Sequence, residues 1–119
     1  MKRTISKEFH FSASHQLFGL EEGHPCGRMH GHNYIVKVFL TGESKGPAGF
    51  VEDYRNLDPI KKWIDDTLDH KHLNDVFPFN PSVEHMSKYI YDKFKEQFPE
   101  LSAIEMSETP KTNCRYEPN

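Results

Sequence analysis

The chain predicts an α+β domain: a four-stranded antiparallel sheet with two helices on one face, in the order ββααββ. Three observations carry this. Two N-terminal segments are rich in strand formers, two central segments place apolar residues at helical spacing, and two short β-rich segments close the chain. At 119 residues, with no repeat, low-complexity stretch or linker, residues 1–119 read as one domain.

The first strand covers residues 3–15. Ile5, Phe9, Phe11 and Ala13 share one parity, and His15 continues it. The second covers residues 31–42, dense in Val, Ile, Tyr and Phe. A glycine-rich loop, Gly42 to Gly49, leads to a short extended piece ending at Tyr54. The first helix follows, with Asn56 expected as its cap, Asp58 and Pro59 in its first turn, and Leu57, Ile60, Ile64 and Leu68 on one face. Residues 69–81 read as a loop. Pro81 or Ser82 opens a second helix with Val83, Met86, Ile90 and Phe94 as its stripe, and Pro99 ends it. Strands at 101–108 and 113–117 finish the chain, joined by Thr109-Pro110-Lys111-Thr112.

Apolar residues make up only 35%, but nine Phe and five Tyr supply large buried areas for a modest core. A net charge of -3, with no basic run longer than two residues, excludes the electrostatic footprint of a nucleic-acid binder. No stretch approaches the roughly 20 apolar residues of a membrane span. The first residues lack the apolar stretch of a signal peptide. Cys26 and Cys114 lie far apart and are expected as free thiols in a reducing, cytoplasmic setting.

The chemistry concentrates in three places. His30 and His32 stand two apart at the start of a strand, so both imidazoles point to one face, about 7 Å apart along the backbone. His15 ends the preceding strand, and a hairpin-type return brings it alongside. A lone strand histidine is usually a satisfied polar residue. Three in this arrangement point to a metal site of the three-histidine type, with zinc favoured over iron or nickel. Asp and Glu are missing from the immediate cluster, which argues against calcium or magnesium. Cys26 lies four residues before His30, in a turn between Pro25 and Gly27. It is either a base or nucleophile beside the metal, or a fourth ligand that closes the shell.

The second place is Leu68-Asp69-His70-Lys71-His72-Leu73-Asn74-Asp75. Such a segment is often a simple helix cap or an exposed turn. An Asp–His pair there can also exchange protons, and on composition alone either His70 or His72 fills that role. The third is Glu108, at the end of a strand. Such a glutamate is commonly solvated, but a buried one offers two acceptor oxygens to a planar N–H/NH2 edge.

Five segments together resemble the 6-pyruvoyl-tetrahydropterin synthase family. They are Phe11-Ser12-Ala13-Ser14-His15-Gln16-Leu17, residues Glu22 through Tyr34, Leu68 through Asp75, Asn80-Pro81-Ser82-Val83-Glu84, and Ser107-Glu108-Thr109. The three-residue spacer between Cys26 and His30, CxxxHGH, is similar to the branch forming 6-carboxy-5,6,7,8-tetrahydropterin; the animal pyruvoyl-forming type has a longer one. The resemblance implies Zn2+ on His15, His30 and His32. It implies Cys26 as general base, Asp69 and His70 completing the proton-transfer set, and Glu108 anchoring the pterin ring. It implies 7,8-dihydroneopterin triphosphate as substrate, converted to 6-carboxytetrahydropterin, acetaldehyde and triphosphate in the queuosine and 7-deazaguanine pathway. It also implies the tunnelling or T-fold: three four-stranded sheets close a twelve-stranded barrel, two trimers stack as a homohexamer, and active sites lie between subunits. Glu108 can then serve a site whose zinc belongs to a neighbour. The alternatives are a pyruvoyl-forming or sepiapterin-converting synthase on the same scaffold, and a non-catalytic zinc or pterin binder. Arg28, Lys71 and His24 are candidates for the triphosphate by proximity alone.

Overall fold

The computed structural model describes residues 1–118. Strands β1 (Lys2–His15) and β2 (His30–Glu43) pair antiparallel along their whole length, from Lys2 opposite Glu43 to His15 opposite His30. β2 pairs antiparallel with a later strand at Leu101–Ser107, and that strand pairs antiparallel with another at Cys114–Tyr116. These are the four expected antiparallel strands. A fifth, two-residue strand, β3 (Lys71–His72), lies parallel to Ala13 and Ser14 on the outer edge of β1. The last two strands are therefore β4 (Leu101–Ser107) and β5 (Cys114–Tyr116), and the sheet order is β3-β1-β2-β4-β5.

The helices are α1 (Asp58–Thr67), α2 (Leu73–Val76) and α3 (Val83–Phe94). The expected loop at 69–81 thus contains β3 and the single turn α2, both too short to leave a periodic signal. Ser82 caps α3 by accepting the His85 N–H at 3.2 Å. Asn56 does not cap α1. A tight turn at Tyr54–Leu57, itself capped by Asp53, runs directly into α1. The Asn56 amide instead donates to Glu52 Oε1 at 3.0 Å. α3 stops at Phe94, ahead of Pro99, and Phe98 N–H bonds back to the Phe94 carbonyl.

The two sheet faces differ. Phe9, Phe11, Ala13 and His15 of β1, Tyr34, Val36, Val38 and Leu40 of β2, and Leu101, Ile104 and Met106 of β4 are buried. Against them pack Ile60 and Ile64 from α1 and Met86, Ile90 and Phe94 from α3. Each such apolar side chain contributes about 1.5–3 kcal/mol on burial. The other face is only half-covered. There Arg115 pairs with Glu105 at 2.9 Å and lies 4.5 Å over the Phe39 ring. No helix among the described residues is long and apolar enough to cross a membrane.

The turn from α1 into β3 carries a strained residue. His70 has φ +60°, the one positive φ outside glycine among the described residues. Ser12 holds it there: its carbonyl accepts the His70 N–H at 2.7 Å, and its own N–H donates to Asp69 Oδ1 at 2.9 Å. A left-handed backbone costs a β-branched residue about 1–3 kcal/mol. His70→Val should therefore lower stability by that order in urea titration, whereas His70→Gly should stay within about 0.5 kcal/mol of the parent. Equal losses for both variants would show that the backbone here is unstrained.

Candidate active site

The register of the first two strands builds the histidine cluster. His15 faces His30 across the pair, and Ala13 faces His32. Opposed residues share a face, so all three imidazoles project to the core side, in line with Phe11 and Tyr34, whose rings stack at 4.7 Å. One candidate donor atom from each histidine lies within 4.8 Å of the others. The expected trio is assembled as the parity of the sequence demands.

The hydrogen bonds fix which nitrogen of two rings faces inward. His15 Nδ1 donates to the Pro81 carbonyl at 2.8 Å, and His30 Nδ1 donates to the Arg28 carbonyl at 2.6 Å. A carbonyl can only accept, so both Nδ1 atoms carry protons. The two Nε2 atoms then point at one another 3.0 Å apart. A proton shared between them would make one ring an imidazolium; with none, two lone pairs converge on a position that suits a cation. His32 Nε2 is buried without a hydrogen-bond partner. Glu108 Oε2 comes within 3.0 Å of it, close enough for an ion pair but out of line for a hydrogen bond.

Burial holds the pKa of His15 below the ordinary value, against the pull of its bond to Pro81, and His30 lowers it further. Burial likewise lowers His32, although Glu108 pulls the other way. Protonation is thus a poor remedy for converging lone pairs. Three imidazoles whose inner nitrogens converge, two of them oriented through their far nitrogens by backbone carbonyls, fit a metal ion. Tyr34, a residue the sequence reading passed over, sets its hydroxyl 3.2 Å from His15 Nδ1. Its burial, with Glu108 nearby, raises its pKa far above the ordinary range and keeps the phenol protonated. It shares the parity of His30 and His32, which was the signal for it.

Cys26 sits in the tight turn Pro25–Gly27 with a free, half-buried thiol. Its sulfur is not among the converging donor atoms. Its N–H donates to His24 Nδ1 at 3.0 Å, so His24 serves as the cap of this turn. Asp69 and His70 form a couple, with Oδ2 3.0 Å from Nδ1. The Ser12 N–H, and then His70, hold the Asp69 carboxyl below its usual range. His72 is turned elsewhere, its Nδ1 2.9 Å from the Ser14 hydroxyl. The couple lies on the outer edge of β1, and no hydrogen bond or ion pair joins it to Cys26 among the described residues. Glu108 continues the buried parity of Met106 beyond β4 and meets the histidines of its own chain.

This geometry has known counterparts. Residues 4–119 match the family model described as 6-pyruvoyl tetrahydropterin synthase. The chain belongs to this family. It is similar to 6-carboxy-5,6,7,8-tetrahydropterin synthase of Bacillus subtilis, 31% identical over 127 residues, covering 96% of this chain and 84% of that protein. A Synechocystis protein of the same name is 34% identical over 122 residues, covering 94% and 91%. The solved structure of Caenorhabditis elegans 6-pyruvoyl tetrahydropterin synthase superposes with a TM-score of 0.88 at 28% identity, covering 100% of this chain and 97% of that one. The fold is the T-fold of these synthases, and the chain is a tetrahydropterin synthase of this family.

Two outcomes follow for the cluster. Titration with zinc should give one tight site per chain, and His15→Ala, His30→Ala or His32→Ala should each weaken it by at least about 100-fold; unchanged binding in these variants would place the metal elsewhere. The pH dependence has a fixed sign in the metal-free chain. Folded-state values of His15 and His32 are lowered from 6.5. Below that pH the unfolded chain binds more protons, so stability is full above about pH 6.5 and declines as pH falls toward the folded values. His15→Gln should flatten this decline in urea titrations across the range.

Proposed function

We propose that the chain is a zinc-dependent lyase that converts 7,8-dihydroneopterin triphosphate and water to 6-carboxy-5,6,7,8-tetrahydropterin, acetaldehyde and triphosphate. The observation that carries this is the cluster of three converging imidazole nitrogens beside Glu108, one of them buried without a hydrogen-bond partner, with the Cys26 thiol outside the donor set. Such a set binds a metal and keeps a position open, which a structural site does not. The names of the bacterial relatives support the carboxy-forming outcome.

His15, His30 and His32 would hold Zn2+. The bound ion supplies a Lewis acid for the hydroxyls of the substrate side chain and for alkoxide or enolate charge. Cys26, as thiolate, takes a proton from the hydroxylated side chain. His70, oriented by Asp69, acts as its acid–base counterpart. Glu108 accepts from the N–H/NH2 edge of the pterin, two parallel bonds that fix the ring. The ring passes from dihydro to tetrahydro as the side-chain carbon is oxidised, so no redox cofactor is needed. The Asp69–His70 couple of one subunit works with the Cys26 of another, in a homohexamer of two stacked trimers. The product feeds the queuosine and 7-deazaguanine pathway in the cytoplasm.

A second reading, the pyruvoyl-forming synthase, is favoured by the superposition on the nematode enzyme. Product mass separates the two: acetaldehyde release marks the first, a retained three-carbon side chain the second. Cys26→Ala should lose turnover and keep its zinc. Mixing Cys26→Ala with His70→Ala chains, after dissociation and reassembly, should restore turnover that neither has alone. Full activity in Cys26→Ala would falsify the assignment of the base.

A further inference from the structure

Residues 16–29 carry Cys26 between β1 and β2, and hydrogen bonds rather than burial hold them. Gln16 and Gly19 are exposed, and Phe18 is 58% exposed. A stretch this long without regular structure does not hold a side chain to catalytic tolerance unaided. Local bonds to His24 shape the turn around Cys26, and two more tie that turn to the end of β1: Leu17 N–H donates to the Cys26 carbonyl at 2.9 Å, and Gln16 Nε2 donates to the Gly27 carbonyl at 2.8 Å. Both start from residues 16 and 17. The position of Cys26 therefore depends on what fixes those residues.

Two side-chain amides do so. Asn74 Oδ1 accepts the Gln16 N–H at 2.8 Å, and its Nδ2 donates to the Gln16 carbonyl at 2.7 Å. Asn80 repeats the pattern on Phe18, accepting at 3.0 Å and donating at 2.7 Å. An amide offers an acceptor and a donor side by side, as a strand backbone does. The outer edge of β1 is paired by β3 at Ala13 and Ser14. Asn74 and Asn80 then continue that edge at alternate residues with no strand present. Asn74 follows the Asp69–His70 couple by only a few residues. Asn80 precedes Pro81, whose carbonyl orients His15. One segment thus registers the proton couple, the metal ligand and the thiol loop.

We propose that Asn74 and Asn80 are positioning residues that set Cys26 against the histidine cluster, with Gln16 passing the restraint across the loop. This rests on the reading of Cys26 as the reacting thiol. Asp in place of either Asn keeps the acceptor but turns a second oxygen toward a carbonyl, and Gln is a methylene too long.

The test uses the zinc-loaded full chain with Asn74→Asp, Asn74→Ala, Asn80→Ala and Gln16→Ala. Gln16→Ala removes an exposed side chain and leaves both amide clamps intact, so it decides the matter should an Asn variant fail to fold. Iodoacetamide labelling, resolved by peptide mass, reads Cys26, with Cys114 as internal control. Labelling of Cys26 should rise about fivefold or more with Cys114 unchanged and zinc retained. The kcat should fall about 10- to 100-fold, with KM within about threefold. Unchanged labelling of Cys26, or equal acceleration at both thiols, would overturn the proposal. So would selective acceleration with kcat intact. If Cys26→Ala itself turns over normally, the reading of the thiol has failed instead, and the labelling still reports whether the amides hold the loop.

Discussion

Everything in this molecule is arranged around a repulsion. Two imidazole nitrogens face each other at 3.0 Å, where they either meet as lone pairs or share one proton at the cost of a buried charge, and a third lies buried beside them without a hydrogen-bond partner. Left to themselves the rings would turn away. The carbonyls of Pro81 and Arg28 prevent this by accepting hydrogen bonds from the Nδ1–H groups, and burial opposes protonation of His15 on the inner side. A fold holds such an arrangement only if the surroundings are stiffer than the repulsion. The long β1–β2 ladder, the Phe11–Tyr34 stack below the cluster and the capped start of α3 supply that stiffness. An unfavourable local arrangement kept by a well-packed frame is the signature of a binding site.

Much of this was legible in the sequence because it is periodic. The parity of Ile5, Phe9, Phe11, Ala13 and His15 stated the buried face of β1, and His30, His32 and Tyr34 stated that of β2. The stripes Ile60–Ile64 and Met86–Ile90–Phe94 stated the helix faces. Glu108 follows Met106 by two residues and inherits its side. The parts that escaped have no period. β3 is two residues, and its pairing is set by Ser12 on another strand. Asn56 looks like a cap, but the preceding turn at Tyr54–Leu57 leaves α1 no free end there. The Pro81 carbonyl is invisible because every residue has one. Asn74 and Asn80 read as ordinary loop amides, and only the positions of Gln16 and Phe18 give them work.

The sheet is unfinished in one chain. Before Ser12, β1 presents an open outer edge, and β5 ends the other side with three residues. The face away from the helices carries Lys37, Phe39 and Glu105 half-covered and Arg115 exposed over the Phe39 ring. Long open edges are a hazard in a free monomer. Copies that pair edge to edge remove them and enclose the half-covered face, which supports the barrel assembly proposed above.

The same argument explains the odd placement of the proton couple. The His70 side chain is 82% exposed, on the margin of the chain. An imidazole in open water is a weak catalyst, since solvent competes for its proton and screens its carboxylate. Yet the backbone is held left-handed at this residue, and Ser12 spends both its main-chain groups on the couple. Strain kept at an exposed residue has a purpose only if something covers it. Cys26 sits on a different margin, on the loop after His15. A thiol and an imidazole carried on separate margins of one chain do not meet within it. In the assembly proposed above, a substrate held between two chains would meet the thiol on one side and the imidazole on the other.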